Sequence, residues 1–70
     1  MNKKYYTVQW FSTPLNRWMD YSAALYVSFG YANGYFVAQD SHYPCPVLRI
    51  IDSEGKVVRE SKGRGEVHVN

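Results

Sequence analysis

The sequence has one cysteine, so it lacks the pair that an intramolecular disulfide requires. Small scaffolds that are held together by disulfides in oxidising compartments are therefore excluded. We expect Cys45 to be a small buried hydrophobic side chain. Stability must come from packing, and seventy residues supply only one core.

Long apolar runs are also missing. No stretch approaches the roughly 18 residues that a transmembrane helix needs. The basic start, MNKKYYTVQW, leads into no apolar segment of the signal-peptide type. These features predict a cytoplasmic protein that has no membrane partner.

The sequence lacks a strong charge of either sign, because its net charge is only +2. Residues 1–19 carry three bases, residues 20–54 one base against four acids, and residues 55–70 four bases against two acids. A clustered basic face of the kind typical of nucleic-acid binding is not indicated. The uneven distribution is compatible with a polarised surface that orients a protein partner.

Aromatic residues, by contrast, make up 17% of the chain and include seven tyrosines and two tryptophans. A core of this size does not need so many large flat side chains. Some of them are therefore expected at the surface, where tyrosine is common in interfaces.

A first hairpin is predicted at the start of the chain. Residues 4–12 have the composition of a strand, residues 13–16 (Thr-Pro-Leu-Asn) that of a turn, and residues 17–21 that of a short returning strand. Both faces of the first strand carry aromatics, so the two-residue period does not say which face is buried.

A second hairpin is predicted near the end, with strands at 47–51 and 56–60. The turn between them, residues 52–55, ends in glycine, and its Asp52 and Glu54 are interpreted as turn residues facing water.

The predicted domain comprises residues 1–60. Two prolines force residues 42–46 into an extended link before the second hairpin. Residues 61–70 are predicted to be a flexible basic tail, in which residues 67–69 could add a short edge strand.

The central segment, SFGYANGYFVAQ at residues 28–39, fits two structures. Asn33-Gly34 between aromatic runs is a strong hairpin signal. A hairpin at 25–39 would make the chain an all-β small barrel or sandwich. Local propensity favours it, because each glycine costs a helix about 1 kcal/mol relative to alanine.

The same segment can form a helix that is capped by a serine such as Ser28. Its glycines at 30 and 34, with Ala38, would give a smooth flank on which the helix could lie close to the sheet. Its buried stripe would consist of Leu25, Phe29, Ala32 and Phe36.

Several segments together form a recognisable pattern: Tyr6-Thr7-Val8-Gln9, then Trp18 and Asp20, then Ser28, Phe29 and Ala32, then Tyr43-Pro44, and finally the hairpin from Arg49 to Val58. With them the chain resembles small ββαββ proteins from accessory regions of bacteriophage genomes, some of which are anti-CRISPR inhibitors. The resemblance implies an α+β fold, in which a four-stranded antiparallel sheet carries one helix on one face. Ser28 would cap that helix, with Phe29 and Ala32 facing the sheet. The chain departs from the pattern where the helix is expected to carry Glu and Lys but instead has Gly30, Tyr31, Asn33, Gly34 and Tyr35.

The sequence contains no recognisable catalytic constellation. His42 and Cys45 lie in the extended link, where side chains three positions apart tend to diverge. Together with the distant His68 they are too few and too widely spaced for a zinc site. The Gly63-Arg64-Gly65 segment lacks the strand-then-helix context of a phosphate loop. We therefore predict a non-enzymatic protein with no metal and no cofactor.

Binding is the expected activity. On the helical interpretation, Val27, Tyr31 and Tyr35 form an exposed stripe that is suited to an interface. A second candidate surface consists of Arg59, Lys62 and Arg64. The resemblance implies a phage-type protein that binds a host protein or ribonucleoprotein complex in the host cytoplasm. Such a protein would inhibit or redirect the complex, by anti-CRISPR or other anti-defence action.

Two alternative functions stay open. In a nucleic-acid-binding module, aromatic side chains such as Tyr5, Trp10 or Phe11 would stack on bases while Lys3 and Lys4 contact phosphates. In a structural or self-assembling homodimer, one sheet face would be buried by a second copy of the chain.

Overall fold

A computed structural model of the chain describes residues 5–21 and 26–65. In chain order these residues form β1 (Tyr6–Ser12), β2 (Arg17–Asp20), α1 (Phe29–Asp40), β3 (Leu48–Asp52) and β4 (Val57–Glu60). The strands make one antiparallel sheet in the order β2-β1-β3-β4. This confirms the predicted ββαββ fold of the α+β class, and the all-β alternative is wrong.

The β1–β2 turn is built by the residues predicted for it. Asn16 takes a left-handed backbone conformation with φ 54°, which asparagine adopts more readily than most residues. Its N–H donates to the carbonyl of Thr13 at 3.2 Å. The Oγ of Ser12 accepts from the N–H of Leu15 at 3.3 Å, so the hydroxyl holds the turn from inside.

The β3–β4 turn closes on Asp52 and Gly55. The N–H of Gly55, whose φ is 83°, donates to the carbonyl of Asp52 at 2.9 Å. Contrary to the prediction, the Asp52 side chain does not face water and is only 4% exposed. Its Oδ1 accepts from the N–H groups of Glu54 and Lys56, each at 2.9 Å, because the turn folds back over the carboxylate. Glu54 itself is exposed, as predicted.

The helix begins where the serine cap was predicted. Ser28 is extended, with φ −140° and ψ 150°, and its Oγ accepts from the N–H of Tyr31 at 3.3 Å. Asn33-Gly34 lies within the helix rather than in a hairpin turn. The strong local turn signal is overridden because the sheet face beneath α1 needs an apolar cover.

The core lies between α1 and one face of the sheet. Val8 of β1 pairs with Ile50 of β3, so both side chains point to the same side of the sheet. Phe36 of α1 is 1% exposed and fills the space above them. The remaining members of this buried cluster are Ala32, Cys45 and Leu48. The predicted burial of Cys45 is confirmed, since the residue is 2% exposed.

The helix is rotated relative to the prediction. Ala32 and Phe36 face the sheet as expected, but Phe29 is 39% exposed and its ring meets only the edge of the core, 5.9 Å from the ring of Tyr6. Leu25 lies outside the described residues. Gly30, Gly34 and Ala38 are exposed, so the smooth flank points away from the sheet and not towards it.

The chain stays hydrogen-bonded after β4. Leu48 and Ser61 are joined twice, by Ser61 N–H to Leu48 carbonyl and by Leu48 N–H to Ser61 Oγ, both at 2.9 Å. Cys45 and Arg64 exchange backbone bonds of 2.7 and 2.8 Å. Residues 61–65 of the segment predicted as a flexible tail are thus tied to the β3 entry. Residues 66–70, with the predicted edge strand at 67–69, lie outside the described part of the chain.

Candidate binding surfaces

The outer side of α1 carries the tyrosine that was predicted to be free for docking. Tyr31 is 72% exposed, and Val37, two turns further along, is 48% exposed. At 100° per residue, the angular positions of Gly30 and Gly34 around the helix axis lie between those of Tyr31 and Val37, on the side of the helix that points away from the sheet. We call this surface, Gly30, Tyr31, Gly34 and Val37, the glycine face. Val27, which precedes the helix, is 67% exposed at its amino end.

Tyr35 does not belong to that surface, contrary to the predicted stripe. It packs against the core, with its ring centroid 5.6 Å from that of Tyr21 and 6.0 Å from that of Tyr26. Tyr26 is held in place by two backbone hydrogen bonds of 2.8 Å to Tyr6. Of the predicted stripe, Tyr35 therefore lies in a packed cluster with Tyr21 and Tyr26, whereas Tyr31 is exposed.

The packed cluster predicts an alkaline loss of stability. Burial, helped by Cys45 and Tyr35, raises the pKa of Tyr21 above its ordinary value. The folded state thus binds this proton more tightly than the unfolded state does. The contribution is fully present below an unfolded pKa of about 10 and is lost as pH rises through the folded pKa.

We expect Tyr21→Phe to lose less stability than the wild type when pH rises from about 9 to about 11. Urea midpoints at several pH values measure this. Groups that do not interact with Tyr21 cancel in the difference between the two proteins. Parallel curves would contradict the assignment.

The predicted basic surface lies on the other flank of α1. The guanidinium of Arg59 sits 4.6 Å from the ring centroid of Phe36 and donates to Oδ1 of Asn33. The Nη2 of Arg64 is 3.8 Å from Oδ2 of Asp40, two turns along the same flank. Lys62 is exposed between them in sequence.

Tyr31 is therefore not on the same surface as these cations. Positions 31 and 33 are separated by about 200° around the helix axis. The two parts of the predicted partner site occupy different flanks, and a flat partner could not contact both at once.

The opposite face of the sheet has no helix or strand over it among the described residues, because α1 packs on the other side. We call this surface the open sheet face; its central residues are Gln9, Phe11, Trp18, Asp20 and Arg49. Strand pairing brings them together, with Phe11 opposite Trp18, and Gln9 opposite both Asp20 and Arg49.

The side chains of the open sheet face are linked to one another. Gln9 donates through Nε2 to Oδ1 of Asp20 and accepts through Oε1 from Nε of Arg49, both at 2.7 Å. The guanidinium of Arg49 also lies 4.1 Å from the ring centroid of Trp18, within range of a cation–π interaction. Phe11 meets Trp18 edge to face at 5.3 Å. These contacts hold an aromatic pair and an arginine in fixed positions on an uncovered surface.

Only some of the residues predicted for nucleic-acid binding lie on the open sheet face. Phe11 is on the open sheet face, whereas Trp10 points to the other side and packs against the core. Tyr5, just before β1, is 38% exposed. Lys3 and Lys4 lie outside the described residues.

Trp18 and Arg49 were not predicted as site residues. A signal for Trp18 was present, since a four-residue turn at 13–16 fixes Ser12 opposite Arg17 and hence Phe11 opposite Trp18. Arg49 could not be found in this way, because its position depends on the pairing of β3 with β1, which no local turn determines.

The described ranges contain few candidates for a catalytic or metal-binding site. His42 is exposed and Cys45 is buried. No group of three or more His, Cys, Asp or Glu side chains there could hold a metal ion. The described part of the chain also forms no helix with the length and apolar character needed to cross a membrane.

Comparisons with protein-family models, with curated proteins and with solved structures found no match to this chain.

Proposed function

We propose that this protein is non-enzymatic and acts by binding another macromolecule through the glycine face of α1. The observation that carries the proposal is the exposure of Tyr31, which is 72% with no ring contact to another described residue. Tyrosine supplies a large rigid surface and a hydroxyl, and it is enriched among the residues that dominate binding energy.

The two glycines give this surface its shape. A Cβ atom at Gly34 would meet nothing within 4 Å, and one at Gly30 would meet only the Oγ of Ser28 at 3.9 Å. On the surface between the side chains of Tyr31 and Val37, the helix backbone is therefore uncovered at Gly30 and Gly34. A partner can approach the bare backbone closely, with the two side chains forming walls on either side of the contact.

We propose that the partner is a host protein or ribonucleoprotein complex and that binding inhibits or redirects it. This part of the proposal is supported by the resemblance to phage-encoded ββαββ proteins, anti-CRISPR inhibitors among them. Action by occupying a surface requires no cofactor. A host complex as partner would mean that the protein acts in the cytoplasm of the host.

Capture from a bacterial host lysate tests the proposal. Immobilised wild-type protein should retain a defined set of host proteins that the Tyr31→Ala variant retains at least about tenfold less, as expected for loss of an interface anchor. Leu15→Ala is the matched control, because Leu15 is 56% exposed in the distant β1–β2 turn. Equal capture by wild type and Tyr31→Ala would overturn the glycine face as the site. Capture that nuclease treatment or moderate salt abolishes would favour the nucleic-acid function.

The same face allows stability and binding to be separated. We expect Gly34→Ala to raise the free energy of unfolding by about 0.5–1 kcal/mol, because alanine favours the helix and the new methyl group meets open space. It should at the same time weaken capture of the partner, since the methyl group blocks the bare backbone. Urea unfolding and lysate capture measure the two effects.

Gly55→Ala is the control for the substitution itself. Gly55 has φ 83°, so alanine there should destabilise the protein by about 1 kcal/mol and leave capture unchanged. A Gly34→Ala variant that is both more stable and equally well captured would show that partners do not contact the helix backbone.

A further inference from the structure

We propose that the open sheet face pairs with the same face of a second copy of this chain. The inference is independent of the proposed function, because the glycine face and the open sheet face lie on opposite sides of the molecule. It rests on three features of the open sheet face: its uncovered aromatic pair, its self-complementary charges, and the geometry that brings these charges together.

The aromatic pair is the first feature. Phe11 and Trp18 are half-buried only by their neighbours in the sheet, and no helix or strand of the described chain lies over them. On the other side of the sheet α1 covers the equivalent area around Val8 and Ile50. A second sheet would bury the aromatic pair as α1 buries the core, at the spacing of about 10 Å usual for stacked sheets.

The charges are the second feature. Within one chain the Gln9 amide stands between Asp20 and Arg49 and bridges them, so the carboxylate and the guanidinium are held apart. Among the described residues, Asp20 Oδ2 has no further hydrogen-bond partner, and neither have the terminal nitrogens of Arg49. Each copy thus presents one carboxylate and one guanidinium at fixed positions on either side of β1.

The geometry is the third feature. Asp20 and Arg49 lie on β2 and β3, each one strand away from Gln9 on the central strand β1. A two-fold axis running along β1 exchanges the two sides, so Asp20 of each copy faces Arg49 of the other. The same axis brings Phe11 against its counterpart and buries both aromatic pairs. An axis between β3 and β4 would pair Arg49 with Glu60 but leave the aromatics uncovered.

The charge balance of the face favours a second copy over a polyanion. Glu60 lies opposite Arg49 in the β3–β4 pairing, so the row from β2 to β4 carries two carboxylates and one guanidinium. Nucleic acid would be repelled by the net negative charge of this row, whereas a second copy places Arg49 against Asp20 across the axis along β1 and leaves Glu60 beyond the edge of the other sheet.

The dimer should be weak. Three strands of about five residues cover roughly 14 by 17 Å, well below the ~800 Å² per partner of a standard interface. We therefore expect a dissociation constant in the micromolar range or weaker.

Sedimentation velocity of the wild-type chain between about 5 and about 500 µM should show a shift from monomer to dimer, as expected for a small interface. Asp20→Arg and Arg49→Asp should each remain monomeric, because each places two like charges against each other across the axis. An equimolar mixture of the two variants should associate again, since arginine at 20 and 49 of one chain meets aspartate at 49 and 20 of the other.

Arg17→Asp is the matched control. It reverses a charge on β2 at an exposed position whose cross-strand neighbour is Ser12, on the side of the sheet away from the open face. It should dimerise as the wild type does. Circular dichroism of each variant confirms that it is folded.

A second measurement needs no variant. On dilution of the wild-type protein, NMR shifts should change at the amides of Gln9 and Phe11 and at the indole N–H of Trp18, and not along α1. A wild-type chain that stays monomeric at about 500 µM would overturn the proposal that the open sheet face binds a second copy. A dimer that survives both charge reversals, or variants that fail to associate when mixed, would also overturn it.

Discussion

Replacing Phe36 with alanine is expected to unfold most of the protein. Phe36 is 1% exposed and is the largest side chain of the buried cluster between α1 and the sheet. Truncating a buried phenylalanine costs about 3–5 kcal/mol, through lost transfer energy and the cavity left behind. A single core of this size supplies only about 3–5 kcal/mol of net stability, so one substitution can remove all of it. Urea unfolding followed by far-UV circular dichroism measures the change.

Phe29→Ala is the matched control, since it makes the same substitution in the same helix. Phe29 is 39% exposed, and its ring contacts that of Tyr6 at the edge of the core. We expect it to cost about 1–2 kcal/mol, in proportion to the smaller area buried. Phe36→Leu keeps most of the volume and should stay folded, with a loss of about 1.5 kcal/mol or less. Equal losses for Phe29→Ala and Phe36→Ala would mean that the helix faces the sheet differently.

The strands and their turns were predictable because their signals are local. Asn16 and Gly55 occur where the backbone needs a left-handed residue, and the β-branched run at Val47–Ile51 indicates a strand without ambiguity. The predicted strands differ from the observed ones by one or two residues at their ends. The serine cap at Ser28 was local in the same sense, and it marked the start of the helix correctly.

The orientation of the helix was not predictable, because its aromatic residues are distributed around the axis. Phe29, Tyr31, Tyr35 and Phe36 all have the size and apolarity of core residues, so the period of the pattern does not single out one face. What selects Phe36 is the shape of the sheet beneath it, and that shape depends on the pairing of β1 with β3. A prediction that placed the glycines against the sheet was therefore wrong for a non-local reason.

The candidate surfaces likewise combine features that local sequence predicts with features that depend on contacts outside the element. The exposure of Tyr31 was predicted from helical spacing, whereas Tyr35, one turn further on, is drawn into a cluster by Tyr21 and Tyr26. Neither of those two rings belongs to the helix, so helical spacing alone could not predict the cluster. Likewise, Arg49 reaches the open sheet face through a strand pairing that spans forty residues of sequence.

Replacing Asp52 with alanine is expected to cost about 2–4 kcal/mol, the second largest effect of a single substitution considered for this fold. Asp52 is 4% exposed, and its Oδ1 accepts from the N–H groups of both Glu54 and Lys56. Alanine would remove the acceptor that these two N–H groups share inside the turn. Because β4 pairs with no other described strand than β3, loosening this turn should also weaken the β3–β4 pairing.

Two further substitutions separate the hydrogen bonds from the charge. Asp52→Asn keeps an acceptor oxygen at the same place but removes the charge, so we expect about 1–2 kcal/mol, since hydrogen bonds to ionised groups are stronger. Asp40→Ala removes a partly exposed carboxylate that is 3.8 Å from Arg64, and should cost less than about 1 kcal/mol. Urea unfolding of the three variants should therefore rank Asp52→Ala above Asp52→Asn above Asp40→Ala. A loss at Asp52 no larger than that at Asp40 would show that the turn holds without its buried acceptor and that the backbone conformation of Gly55 alone is enough to form it.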